Sequence, residues 1–246
     1  MTIKTPEEIK IMREGGKILA KIMKELEKKV KPGITTKELD RLAEGLVLSY
    51  EGKCSFKDYE GYPACLCVSI NEEIVHAVPS ERTLKDGDII SLDLGIQWRG
   101  FHTDMAITVP VGKISLETRK LIKTTRTVLE MGIQEVKPGN HIGDISEAIQ
   151  KYVEAQGFNV VRDLCGHGIG KDLHEDPQIL NYGKIGTGPK IKEGMVFCLE
   201  PMVTVGDWHI KKSKDGYGYE TADGSLSCHF EHTVAVNKNG CQILTE

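Results

Sequence analysis

The sequence predicts an α+β fold: two pseudo-symmetric halves, about residues 1–110 and 111–246, sharing one curved antiparallel sheet with helices on its outside. Three observations predict it. A pair of capped amphipathic helices occurs twice at a fixed offset, and the patterning changes to period two after each pair. No Pro-, Ser- or Gly-rich linker separates the copies, so 1–246 reads as one domain.

The first helix opens at Thr5-Pro6-Glu7-Glu8, where threonine is the N-cap, proline preorganises the first turn and Glu8 completes a capping box. Ile9, Met12, Ile18, Ile22 and Leu26 recur among charges, predicting a helix over 6–29 that ends at Val30-Lys31-Pro32-Gly33. A second capping box, Thr35-Thr36-Lys37-Glu38, starts a helix carrying Leu39, Leu42, Leu46 and Val47 and closed by Gly52. Both recur. Ser115 caps a helix with Leu121, Ile122, Val128, Leu129 and Ile133 that ends in Val136-Lys137-Pro138-Gly139, 106 residues after its counterpart. A fourth carries Ile145, Ile149 and Val153 and finishes at Gly157. Residues 64–70, 88–96 and 101–109 follow the first pair as short β-rich runs, and 195–205 and 228–236 follow the second.

Thirty-two basic against thirty-six acidic residues lack the basic excess that phosphate-backbone binding needs, which excludes nucleic acid as a main ligand. No run approaches the roughly 20 apolar residues of a membrane helix. The first thirty residues carry Lys and Glu in place of a signal-peptide core, which predicts a cytoplasmic protein. Seven cysteines, odd in number and without a C-x-x-C pair, indicate neither a disulfide framework nor a thiolate zinc site and read mostly as small buried thiols.

The chemistry lies in carboxylates. If Ile96 pairs with Phe101 across a Gln97-Trp98-Arg99-Gly100 loop, Asp93 directly opposes Asp104 on one face of an apolar hairpin, where like charges repel. The duplication adds two more acids. Glu200 stands 61 residues beyond Gly139, as Asp93 stands 60 beyond Gly33, and Glu231 sits mid-strand in the second half as Asp104 does in the first. One shared proton cannot relieve four carboxylates, whereas two divalent cations can. Gly166-His167-Gly168-Ile169-Gly170 adds an imidazole in a glycine-flanked loop, so the donor set is oxygen-dominated and suits Mn, Fe(II), Co or Zn.

These residues, together with Val75-His76-Ala77-Val78-Pro79, His174-Glu175-Asp176-Pro177 and Leu199-Glu200-Pro201-Met202, resemble the methionine aminopeptidase family, type I, over nearly the whole chain. The resemblance implies the "pita-bread" fold and removal of the initiator methionine from nascent polypeptides when the next residue is small. It puts the metal ligands at Asp93, Asp104, His167, Glu200 and Glu231, with Asp104 and Glu231 bridging. By the same likeness a metal-bridging hydroxide attacks the first peptide carbonyl, Glu200 accepts its proton, and His76 and His174 bind substrate beside the reacting bond. Relatives line their methionine pocket from the segment holding Phe56, Tyr59, Tyr62 and Cys67, of which Tyr62 and Cys67 are taken as substrate-binding. Ala77, Leu173 and Tyr217 depart from the family's usual glycine, phenylalanine and tryptophan. His102 and His232 neighbour ligands, while His209 and His229 have no comparable claim.

Two other readings share this fold: a proline-directed aminopeptidase or prolidase, and a non-catalytic peptide-binding member. The Glu-Pro-Met and His-Ala-Val-Pro contexts, and only about thirty residues before the first Lys-Pro-Gly, favour the methionine enzyme. The thirty-three-residue spacing of His167 and Glu200 excludes the insertion of type II. The expected protein is a monomer whose own catalytic-domain surface makes any ribosome contact. Gly-His-Gly-Ile-Gly without Gly-Lys-Ser/Thr gives no nucleotide site.

Overall fold

The computed structural model describes residues 2–246, and its four α-helices are α1 (Pro6–Glu27), α2 (Thr36–Ser49), α3 (Leu116–Gln134) and α4 (Ile142–Ala155). The local signals set their starts. Thr5 and Thr35 accept the N–H of Glu8 and Glu38, whose carboxylates accept the threonine N–H in return, and the Ser115 hydroxyl accepts from Thr118. α4 has a start the sequence reading missed: the His141 N–H donates to Asp144 Oδ2 at 2.8 Å. α1 and α2 bury Leu19, Ile22, Leu26, Leu39 and Val47 in one core, and α3 and α4 bury Leu121, Val128, Ile145 and Ile149 in another.

In the first half the strands are β1 (Lys53–Cys54), β2 (Leu66–Ile70), β3 (Glu73–Val75), β4 (Ile89–Trp98) and β5 (Phe101–Pro110). In the second they are β6 (Asn159–Val160), β7 (Cys165–Gly168), β8 (Glu175–Leu180), β9 (Val196–Leu199), β10 (Met202–Thr204), β11 (Ile210–Lys212), β12 (Tyr219–Thr221), β13 (Ser227–His229), β14 (Glu231–Asn237) and β15 (Gly240–Ile243). The main sheet runs β1-β4-β5-β14-β9-β7-β8, with β2 on β4 and β15 on β14, antiparallel throughout. Its centre is the pairing of β5 with β14, Glu231 opposite Ala106, which joins the two repeats edge to edge. β4 and β9 then flank equivalent sides, each covered by its own helix pair.

Four expectations need correction. The hairpin turns through Arg99 and Gly100 alone, both at positive φ (47° and 84°), so Trp98 opposes Phe101, Asp93 opposes Ala106 and Asp104 opposes Gly95. The predicted register was off by two, and a shift of two returns every side chain to the same face, so Asp93 and Asp104 remain diagonal neighbours. The runs 195–205 and 228–236 are each broken. Pro201 has no N–H to continue a ladder, and beyond it β10 joins β13 and β6 in a separate three-stranded sheet, while the chain re-enters the main sheet after Phe230. Gly166, His167 and Gly168 of the expected loop lie in strand β7, and Ile169 and Gly170 follow it. A Cβ on Gly166 would lie 2.4 Å from the Cys198 carbonyl oxygen and one on Gly168 2.3 Å from that of Asp176, so glycine lets neighbouring backbone close in.

The fourth correction concerns the thiols: Cys54 and Cys65 form a disulfide. Both β1 and β2 pair with the same edge of β4, Cys54 opposite Ile96 and Leu66 opposite Leu94, so the end of one strand meets the start of the next. Spacing in sequence carries no trace of that abutment. Cys67, Cys165, Cys198, Cys228 and Cys241 are free.

α1 lies so close to the C-terminal segment that a Cβ on Gly16 would sit 2.3 Å from the Leu244 carbonyl oxygen. Gly16→Ala is expected to cost about 1–3 kcal/mol of stability, read in thermal unfolding as about 2–4 °C per kcal/mol for a chain of this size. An unchanged Tm would contradict the packing.

Candidate metal centre

Five elements aim donors at one region. Asp93 on β4 and Asp104 on β5 point to the same face, Glu231 begins β14, Glu200 follows β9 and His167 stands on β7. One carboxylate oxygen each from Asp93, Asp104 and Glu231 lie within 4.8 Å of one another. His167 Nε2 is 3.6 Å from Glu200 Oε1, and its Nδ1 is 2.9 Å from the Gly168 carbonyl oxygen, which fixes the ring and leaves Nε2 as the free donor. Thr233 fixes the β5 backbone here: its Oγ1 accepts the Asp104 N–H at 2.9 Å and donates to the Asp104 carbonyl at 2.8 Å.

The arrangement is unfavourable by itself. Asp93, Asp104 and Glu231 are buried, and one oxygen of each has no hydrogen-bond partner. Burial, then the neighbouring carboxylates, pushes Asp93 and Glu231 well above the usual carboxylate range; burial and then Asp104 do the same to Glu200. Burial raises Asp104 to about 7. His167 is held down at about 3, by burial first, so its imidazole is neutral. Orphaned oxygens from three acids, a fourth acid and a neutral imidazole nitrogen fit divalent cations, which accept hard donors and cancel their repulsion.

The cluster forms the floor of a cavity of about 700 Å³. Phe56, Tyr59, Tyr62, Cys67, Leu173 and Tyr217 line its wall beside His76 and His174, so all the expected pocket residues meet at one place. The Tyr62 hydroxyl donates to the Ala77 carbonyl at 2.9 Å and its ring meets Tyr217 edge-on at 5.5 Å, while Tyr217 in turn donates to the Gly61 carbonyl at 2.7 Å. The His174 ring meets His167 at 4.4 Å, with its Nδ1 2.9 Å from the Tyr59 hydroxyl. His76 follows β3 at φ 60°, an uncommon backbone for a side-chain-bearing residue, and faces Tyr219. Enclosing walls desolvate both rings: His76 is lowered to about 4 and His174 is lowered too, so each is neutral near pH 7.

His102 bonds to Ser55 and Gln97, and His232 to Thr245, so neither is hydrogen-bonded to a predicted ligand. The histidine that sequence reasoning set aside is the close one. His229 is 1% exposed, neither ring nitrogen has a hydrogen-bond partner, and Nε2 lies 3.9 Å from Glu200 Oε2. Its neighbour is Glu200, twenty-nine residues away in sequence, so no local spacing pointed to it.

The model of metallopeptidase family M24 matches residues 10–238. The chain is 50% identical over 242 residues to methionine aminopeptidase 1 of Bacillus subtilis (strain 168), covering 98% of each chain. Its structure aligns with the methionine aminopeptidase of Thermotoga maritima at a TM-score of 0.99 and 44% identity, over 100% of this chain and 99% of that one. The prolidase of Pyrococcus horikoshii OT3 aligns at 0.79 and 20% identity over 63% of that chain, a likeness of fold alone.

In the metal-free chain the raised carboxyls keep protons that the unfolded chain releases near pH 4, so they oppose folding increasingly as pH rises toward their folded values. The lowered histidines act oppositely, but only below their unfolded value of about 6.5. Between pH 6.5 and 8 the carboxyls therefore dominate. With chelator present, Tm is expected to fall across that window, and Mn(II) is expected to remove the decline; equal slopes with and without the ion would contradict the electrostatics.

Proposed function

This chain belongs to metallopeptidase family M24, among the methionine aminopeptidases, and we propose that it hydrolyses the N-terminal methionine from nascent polypeptides at the cavity floored by Asp93, Asp104, His167, Glu200 and Glu231. The observation that carries the reading is the convergence of buried, unpartnered acid oxygens beneath an aromatic-walled cavity. Two divalent ions are the proposed complement. Glu231 belongs both to the group with Asp93 and Asp104 and to the group around His167, so these four residues together with Glu200 would hold the ions. The prolidase reading is the weaker one, since that likeness extends to fold only.

Bound ions would neutralise the acids and act as Lewis acids toward water and the scissile carbonyl. The remaining work falls to side chains. Phe56, Tyr59, Tyr62, Cys67, Leu173 and Tyr217 enclose an unbranched apolar side chain, and the Cys67 sulfur and aromatic edges suit a thioether. Glu200, whose carboxylate lies beside His167 at the cavity floor, would accept a proton from the attacking water. His174, with Nδ1 tied to Tyr59, keeps Nε2 for the substrate carbonyl or amide, and neutral His76 relays to the leaving amine the proton that Glu200 takes from water.

Purified protein supplied with Co(II) or Mn(II) is expected to release methionine from Met-Ala-Ser, and chelator is expected to stop it. Release of no methionine by metal-loaded protein would favour the non-catalytic reading. His174→Ala is expected to lower kcat by about 10²–10⁴ while metal content by elemental analysis stays unchanged. Full activity in that variant would remove His174 from the mechanism.

A further inference from the structure

We propose that Cys198 supplies a sulfur donor to the divalent ion on the His167 side of the centre, making that position a mixed nitrogen, oxygen and sulfur site. The inference rests on the metal-centre reading above and extends it to a residue outside the five ligands.

The sequence argues for a plain core thiol, since Cys198 belongs to no cysteine pair. The alternation of β9 argues otherwise. Phe197 and Leu199 enter the core formed with α3 and α4, whereas Val196 and Cys198 turn to the opposite face, next to which Glu200 follows. Cys198 is 0% exposed, and its Sγ, a ring nitrogen of His167 and a carboxylate oxygen of Glu231 lie within 4.8 Å of one another. Donors at about 2.0–2.3 Å from one ion lie roughly 3.3–3.8 Å apart at tetrahedral angles and about 4.4 Å apart across the ion, so a group no wider than 4.8 Å can close on a shared ion by side-chain adjustment. Independently of the cysteine, Glu231 is 3% exposed and its Oε1 has no hydrogen-bond partner, while His167 holds Nδ1 against the Gly168 carbonyl and leaves Nε2 free.

In the metal-free site burial, then Glu231 and Asp104, keep Cys198 as a protonated thiol, so ligation requires the ion itself to displace the proton. Cys198 Sγ lies 3.5 Å from Thr233 Oγ1, whose own proton is directed to the Asp104 carbonyl at 2.8 Å, so this hydroxyl accepts from the thiol. On ion uptake the S–H bond breaks, the sulfur electron pair goes to the ion and the proton leaves to solvent. A soft donor beside hard carboxylates shifts preference toward Zn(II), Co(II) or Fe(II) and away from Mn(II).

Anaerobic titration of the metal-free protein with Co(II) tests this by absorption, independently of activity. Uptake by the carboxylates and His167 is read from the visible d–d bands. Cys198 ligation is read from a thiolate-to-Co(II) charge-transfer band in the near ultraviolet. The expected result is both bands in the wild type and in Cys67→Ser, with the near-ultraviolet band lost and the d–d bands kept in Cys198→Ser, or in Cys198→Ala should the serine variant not fold. Saturating d–d bands without the charge-transfer band, or a charge-transfer band that survives loss of Cys198, would overturn the sulfur ligand and leave the metal centre standing. Absence of both bands would overturn the two together.

Discussion

Mutual repulsion among buried carboxylates at the β5–β14 seam is the constraint around which this molecule is organised. Each repeat contributes acids to that seam, and the two apolar cores under the helix pairs remove the water that would otherwise screen them. The cost is carried by the rest of the fold: capped helices, a long central sheet and a chain end clamped onto α1. A cation is the partner that makes the same geometry favourable, so the strain of the metal-free site and the chemistry of the loaded one have a single origin.

The cavity above the seam extends the same logic to substrate. Its walls desolvate His76 and His174 and hold them neutral near pH 7, which suits the hydrogen-bonding and proton-relay roles proposed for them. The wall is itself braced by polar contacts, Tyr62 to Ala77 and Tyr217 to Gly61, which occupy the two hydroxyls and leave the rings for a methionine side chain. Ala77 and Tyr217, where the family's usual residues differ, take part in that bracing, and Leu173 lies in the wall itself. None of the three is among the proposed ligands.

Legibility in the sequence followed the range of the interaction. Capping boxes act over three residues, so α1 and α2 were readable to within a turn. Face parity along a strand needs only alternation, so Asp93 and Asp104 were brought together correctly even though their register was not. What escaped depends on partners distant in sequence: the breaks at Pro201 and Phe230, the Cys54–Cys65 bond across the edge of β4, and strand β7 in place of a loop. His229 and Cys198 escaped for a related reason. Each sits two residues before an acid, and only the fold shows what it meets there, Glu200 beside His229 and His167 with Glu231 beside Cys198.

Anomalous diffraction from crystals grown with Mn(II) tests the central claim most directly. The account predicts two peaks among Asp93, Asp104, His167, Glu200 and Glu231, with oxygens of Asp104 and Glu231 adjacent to both. Ordered crystals of peptide-cleaving protein with no peak between those side chains, or with the metal bound elsewhere, would contradict it.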